Sequence, residues 1–303
     1  MCRSQHYVRF LVCLLSKANT IDLKVNIINQ LADFAINEEN RLILLKNQIV
    51  KELKKFIKQP KEEEDEMLLF TSLKALVNLT NNFEKGKDYL YTENLIEKLI
   101  PLMLNVNVQI SNLILILFKN YINPSIERRS NLVKLDIIPI IQKLLFETLK
   151  REKPDTQLLS SIIALIWCIV DNTNREVFAT SEIPKAISDI LHNYQQDFIL
   201  SKASGAIMSL STSSPEVKKI MGKTGVVQKL STLIANKRDP KFLKNLLGAL
   251  ASLVGDQDNL LILHNQRLEL ILDTLSQNEN KQIATISFFI KEKLKKPNFL
   301  INN

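Results

Sequence analysis

Glycine, proline, cysteine and tryptophan are all scarce in this chain. Only 6 Gly and 9 Pro punctuate 303 residues, too few for the tight turns that long antiparallel sheets require. Three cysteines, Cys2, Cys13 and Cys168, are too few and too scattered for a disulfide framework or a zinc site, and they fit a reduced, intracellular setting. His6, His192 and His264 each stand without a second ligand at metal spacing. The longest apolar runs, "LILILF" (113–118) and "IIALIWCIV" (162–170), fall short of a membrane span. No Cys or Ser has a His partner that the sequence marks, so no catalytic constellation and no cofactor site is expected.

What is present is apolar and basic. Hydrophobic residues make up 46% of the chain, enough for a large core, and β-branched residues are mostly Ile among Leu, Lys and Glu, which favours helices. Lysine and arginine number 40 against 32 acidic residues, a net charge of +8 that bears on solubility and long-range attraction rather than on fold. The lysines spread over solvated faces, with denser stretches at 217–244 and 291–296. Arg3, Arg9 and Lys17 precede the first acidic residue, Asp22. That pattern fits either a mitochondrial presequence or an ordinary amphipathic helix. The acidic run "EEEDE" (62–66) precedes an apolar helix start and is read as a favourable helix N-terminus rather than a metal site.

A repeat runs through the chain. "NQLADFAINEEN" (29–40), "KALVNLTNNFEK" (74–85), "ALIWCIVDNTN" (164–174), "AIMSLSTSSPE" (206–216) and "ALASLVGDQDN" (249–259) share an apolar stripe ending in a polar turn. Leu31, Leu76, Leu165, Ile207 and Leu250 hold one equivalent position, and "NLILILFKNYIN" (112–123) fills the gap between the second and third. At the turns stand Asn37, Asn82, Asp171, Ser213 and Asp256, followed three residues on by Asn40, Asn174 and Asn259 in three of the five. Short polar side chains there end one helix and cap the next. Each turn leads to a short helix, a break and two longer helices, a period of roughly 42 residues that belongs to helical solenoids. About six units are expected in one solenoid over 1–303, the first truncated, because "YVRFLVCLLS" (7–16) already has the character of the helix after the break.

"IMGKTGVV" (220–227) has the look of a phosphate cradle, but Val217 stands where a P-loop needs glycine and no strand precedes it. In the repeat it aligns with "TENLI" (92–96), "TSEIP" (180–184) and "NQRLE" (265–269), so it is read as a break, with Gly225 bending the backbone.

Two stretches make the pattern specific. "KALVNLTNNFEKGKDYLYTENLIEKLIPLM" (74–103) and "SIIALIWCIVDNTNREVFATSEIPKAISDIL" (161–191) resemble repeats of the armadillo family, and the resemblance covers nearly the whole chain. It implies an all-α, right-handed α-solenoid of armadillo-type repeats whose third helices line a concave groove for protein partners. On that helix one ladder reads Asp33, Asn78, Ile116, Trp167, Ser209 and Ser252, with Asp171 below it. In the peptide-clamping nuclear-import adaptors of this family, Asn recurs along the ladder and Trp stands one turn before. Here only Asn78 keeps the amide, and Asn29, Lys74, Ile163, Gly205 and Gly248 occupy the earlier turn. Trp167 reads either as an interface anchor or as core filling beside Cys168.

The function expected from the resemblance is a non-enzymatic interaction scaffold or a subunit of a larger assembly. An Ile, Lys and Asn bias like that of AT-rich genomes, where axonemal armadillo proteins are known, adds a cytoplasmic or cytoskeletal setting, the cilium included. Other armadillo proteins act as Hsp70-type exchange factors or small-GTPase regulators, which is the alternative. Nucleic-acid binding ranks below both, since the Lys-rich stretches map mainly to outer helices and breaks rather than to the groove.

Overall fold

The computed structural model describes residues 2–104, 107–212 and 214–295, with side chains from residue 5 onward. Ser213 and Lys296, singled out above, lie outside the described residues, as does the side chain of Cys2. No strand occurs among the described residues.

The chain begins with a pair, α1 (Cys2–Lys17) and α2 (Ile21–Phe34). Three-helix units follow. The first two are α3 (Glu38–Lys46), α4 (Ile49–Lys54), α5 (Glu63–Thr80), and α6 (Glu84–Thr92), α7 (Leu95–Leu99), α8 (Val108–Ile122), a 3-10 segment at Ile100–Leu104 extending α7. Then come α9 (Ile126–Lys134), α10 (Ile137–Leu149), α11 (Thr156–Ile169), and α12 (Arg175–Ala179), α13 (Ile183–Asn193), α14 (Asp197–Ser211). The last two are α15 (Pro215–Lys223), α16 (Val226–Asn236), α17 (Pro240–Leu253), and α18 (Gln257–Asn265), α19 (Glu269–Ser276), α20 (Lys281–Lys295). The final third helix, α20, extends the repeat beyond the stripes legible in sequence.

The chain forms two compact bodies, residues 1–165 and 166–303. In the first, α2 packs on α5 and α5 on α8; in the second, α14 packs on α17 and α17 on α20. Third helices therefore stack on third helices within each body. Leu31, Leu76, Leu165, Ile207 and Leu250 are each 0–1% exposed, so the repeating stripe is the core stripe. Such a unit buries its apolar face only against its neighbours.

The turns close as their side chains predict. Asn37 Oδ1 accepts from Glu39 N at 3.0 Å, and Asp256 Oδ1 from Asn259 N at 3.1 Å, each capping the helix that follows. The asparagine three residues on reaches backwards. Asn40, Asn174 and Asn259 donate Nδ2 to the carbonyls of Phe34, Ile169 and Leu253 at 3.1, 2.8 and 3.3 Å, satisfying the end of the third helix just completed.

The breaks share one backbone device. Gln48, Asn94, Asp136, Gly225 and Arg267 all have φ between 52° and 76°, each at the entry to a second helix. The repeat imposes left-handed backbone there whether or not glycine is present; Asn and Asp tolerate it best among side-chain-bearing residues. Gly225 is thus the bend of "IMGKTGVV". Gly222 serves packing instead, because a Cβ there would lie 1.9 Å from Asn259 Oδ1. In "TSEIP" the break is made differently: Glu182 has φ −77° and Pro184 stands in the first turn of α13. The run "EEEDE" supplies the first turn of α5, where its charge favours the exposed amides.

Candidate functional site

The third helices present the ladder, and the structure sets its register. Asn78 Nδ2 donates to the carbonyl of Ala32 at 3.0 Å, next to Asp33. Asn120 Nδ2 donates to the carbonyl of Val77 at 3.3 Å, next to Asn78. The two bonds are equivalent, so Asn120 and not Ile116 occupies the ladder on α8. Ile116 sits one turn earlier, half-buried, on the row of Lys74. The sequence reading of Asn78 as the sole amide is corrected with it. Phe118, 0% exposed, takes the core position of Leu76.

In residues 1–165 the ladder is Asp33, Asn78, Asn120. Asp33 is exposed and its carboxylate lies 3.9 Å from Lys74 Nζ. Each asparagine spends its NH₂ on the preceding third helix, leaving its carbonyl oxygen without a partner among the described residues.

In residues 166–303 the ladder is Trp167, Ser209, Ser252, all half-buried. Ser209 Oγ donates to the Trp167 carbonyl at 3.1 Å. Ser252 Oγ meets Ser211 Oγ at 2.6 Å and bonds the Ala249 carbonyl at 2.7 Å. The glycines one turn earlier have a packing reason. A Cβ at Gly205 would stand 2.5–2.7 Å from Trp167 Cδ2, Cε2 and Cε3, and one at Gly248 would stand 2.6 Å from Met208 Sδ. Trp167 therefore lies over Gly205 on a part-exposed face; one side of its ring is packed and the side chain is not engulfed. Asp171 is a turn residue: its Oδ1 accepts from Thr173 N at 2.8 Å and Thr173 Oγ1 at 2.6 Å.

One recurring feature escaped the sequence reading. Arg41, 6% exposed, donates to the carbonyls of Ala35 at 2.8 Å and Ile36 at 3.0 Å, and to that of Asn81, one repeat on, at 2.5 Å. Lys87, 3% exposed and equivalent in α6, reaches the Asn123 carbonyl one repeat on and Glu84 at 2.6 Å. Arg129, Arg175 and Lys218 hold the same position in α9, α12 and α15. The signal was a basic residue near the start of five of the six short helices, Leu260 standing there in α18. Arg41 and Lys87 strut neighbouring turns, so part of the chain's positive charge is internal.

A cleft of about 450 Å³ lies beside the first helices α6 and α9, lined by Asp88, Tyr91, Tyr121 and Arg128 among others. Its arginine is already engaged: Arg128 bonds Glu84 at 2.7 Å and Asp88 at 2.6 Å, over the Tyr121 ring. Glu84 is held below its ordinary carboxylate value of 4.5 by the hydrogen bond from Lys87 and, secondarily, from Arg128, against some desolvation. A lowered carboxylate pKa stabilises the fold above that ordinary value, and the contribution is lost as pH falls from there through the lowered folded-state pKa. Glu84→Gln should therefore flatten the acid limb of a urea-stability profile below about pH 5. An acid limb identical to that of the parent protein would contradict the assignment.

The other expected site features stay apart. His192 Nε2 bonds the Thr224 carbonyl at 2.9 Å, and His264 lies 3.7 Å from Glu269. Among the described residues no group of three His, Cys, Asp or Glu could hold a metal, and no helix is long and apolar enough to cross a membrane.

Solved structures match this arrangement. An engineered protein superposes with a TM-score of 0.81 at 15% identity, over 95% of this chain and 68% of its own. A designed armadillo repeat protein superposes at 0.68 and 14% identity, over 80% of this chain and 98% of its own. The fold is an armadillo-type repeat solenoid. A second designed armadillo repeat protein, solved in complex with peptide (KR)4, superposes at 0.65 and 13% identity with the same coverage. No protein-family model and no curated protein matches the chain. The armadillo likeness is one of backbone and helix order, and at these identities it carries no side-chain role.

Proposed function

We propose that the chain is a non-enzymatic scaffold that binds a protein segment on its third helices. The supporting observation is the register of Asn78 and Asn120. Their NH₂ groups are fixed to the preceding helix, which orients two carbonyl oxygens a repeat apart to accept main-chain N–H groups of an extended segment. A scaffold of this kind works within a larger assembly. Large apolar side chains left in solvent on α19 and α20, Leu270 at 80% and Phe288 at 56%, support that setting. A cytoplasmic or cytoskeletal location belongs to the same proposal and is tested by locating the tagged protein.

The binding test uses a pool of dye-labelled, randomised peptides and fluorescence anisotropy. Asn78→Ala with Asn120→Ala should weaken the selected peptides roughly tenfold, two hydrogen bonds at about 0.5–1.5 kcal/mol each. Selected peptides that bind the double variant as tightly as the parent would refute the role of the amides.

A further inference from the structure

The third helices of the two bodies carry opposite charge. In residues 1–165, α2, α5 and α8 hold three lysines against six acidic residues. In residues 166–303, α14, α17 and α20 hold seven lysines, no arginine, and only Asp197 and Glu292. Of the Lys-rich stretches, Lys218, Lys219, Lys223 and Lys229 stand on first and second helices, as the sequence reading expects, while Lys241, Lys244, Lys291, Lys293 and Lys295 fall on third helices. Asp197 is moreover paired with Lys237 at 2.6 Å, and Glu292 with Lys295 at 2.9 Å.

Apolar side chains stand among those lysines. Trp167 and Met208 lie half-buried over the glycines of the next repeat, and Phe289 is 45% exposed with Lys293 Nζ 5.6 Å above its ring. Lys244 lies half-buried one turn before Gly248 on the same helix. A face of lysines interleaved with Trp, Met and Phe complements carboxylates alternating with apolar side chains.

We propose that the third-helix face of residues 166–303 docks an acidic protein segment anchored by apolar side chains. This rests on the scaffold reading above and names the partner's chemistry. A nucleic acid is disfavoured by two observations. The fork that matches phosphate bidentately is absent, there being no arginine on these helices. One side of the Trp167 ring is closed by Gly205, which removes half of the surface a base would stack on.

The chain has a single tryptophan, so fluorescence excited at the red edge of its absorption, where the 5 tyrosines absorb little, reports on this face alone. The full chain is titrated with a dye-labelled peptide of alternating glutamate and leucine, with its lysine–leucine counterpart, and with an oligothymidylate. The acidic peptide is expected to bind, to shift the Trp167 emission and to weaken with added salt. Lys244→Glu with Lys293→Glu should weaken it about tenfold. The milder pair Lys244→Gln and Lys293→Gln, which disturbs folding least, should weaken it about threefold.

Equal binding of both peptides, or acidic-peptide binding that leaves the Trp167 emission and the lysine variants' affinities unchanged, overturns the proposal. The scaffold reading survives that result if Asn78→Ala with Asn120→Ala still weakens peptide binding. Absence of binding by either peptide removes the proposal, and the selected peptides then decide the scaffold reading by themselves. Tighter binding of the oligothymidylate, lost in the same lysine variants, assigns the face to nucleic acid and also overturns it.

Discussion

Phe118→Ala is expected to lower the unfolding free energy by about 3–5 kcal/mol, as for other fully buried phenylalanines. Ile116→Ala, two residues away, is expected to cost only about 1–1.5 kcal/mol, in proportion to a half-buried side chain. The contrast follows from the register of α8. Phe118 is 0% exposed in the row of Leu31 and Leu76, while Ile116 stands half-open on the third-helix face. A solenoid unit shares its core only with its neighbours, so the cavity left by Phe118 has few side chains able to collapse into it. Urea denaturation of both variants against the parent measures the difference. Equal costs, or a larger cost at Ile116, would return the ladder to Ile116 and displace Asn120 from it.

Arg41→Met should cost about 2–4 kcal/mol. Arg41 is 6% exposed, and the burial of its guanidinium is offset by bonds to three carbonyls, two in the turn before α3 and one on Asn81, a repeat further on. Methionine keeps much of the stem's packing but leaves all three oxygens short of a donor. Arg41→Lys should recover part of the loss, because an ammonium is a single point and the guanidinium is a planar fork. Urea melts give the totals. Hydrogen exchange gives the location, with faster exchange expected at Asn40 to Leu44 and at Phe83 to Lys87. A loss below about 0.5 kcal/mol, the level of an ordinary surface change, would mean that Arg41 is no strut.

The helix triplet was legible in sequence because its signals are local. The apolar stripe, the polar turn at Asn37 and Asp256, and the asparagine three residues on each act within a few residues of themselves. The breaks at "KTGVV" and "NQRLE" were legible for the same reason, although Gln48 and Arg267 adopt left-handed backbone with no residue type to announce it. The register of α8 was not. "NLILILF" is apolar on every side, so its stripe has no phase. Counting back from the turn at Asn123 to Asn120, as from Asn81 to Asn78, would have supplied it. The struts were missed because a lysine or arginine on a short helix reads as solvated; only the carbonyl of the next repeat makes it internal. The packing of Trp167 was equally hidden, since it depends on Gly205, 38 residues away in sequence.

These corrections change what the ladder means. With Ile116 in it, the ladder offered one amide. With Asn120 it offers two in consecutive repeats, each anchored through its NH₂ to the helix before. The glycines at 205 and 248, which in sequence looked like missing recognition residues, are seats for Trp167 and Met208. The ladder is therefore held by inter-repeat contacts of its own side chains.

The central claim is that a protein partner lies along third helices, and lysines placed on both kinds of helix make it testable. Lys74, Lys119 and Lys244 belong to third helices, and Lys46, Lys85 and Lys219 to first helices. Amine crosslinking of the protein in its native extract, read by mass spectrometry, should place a stoichiometric partner's crosslinks on the first set and spare the second. Crosslinks concentrated on Lys46, Lys85 and Lys219, with the third-helix lysines unmodified by any partner, would contradict the account.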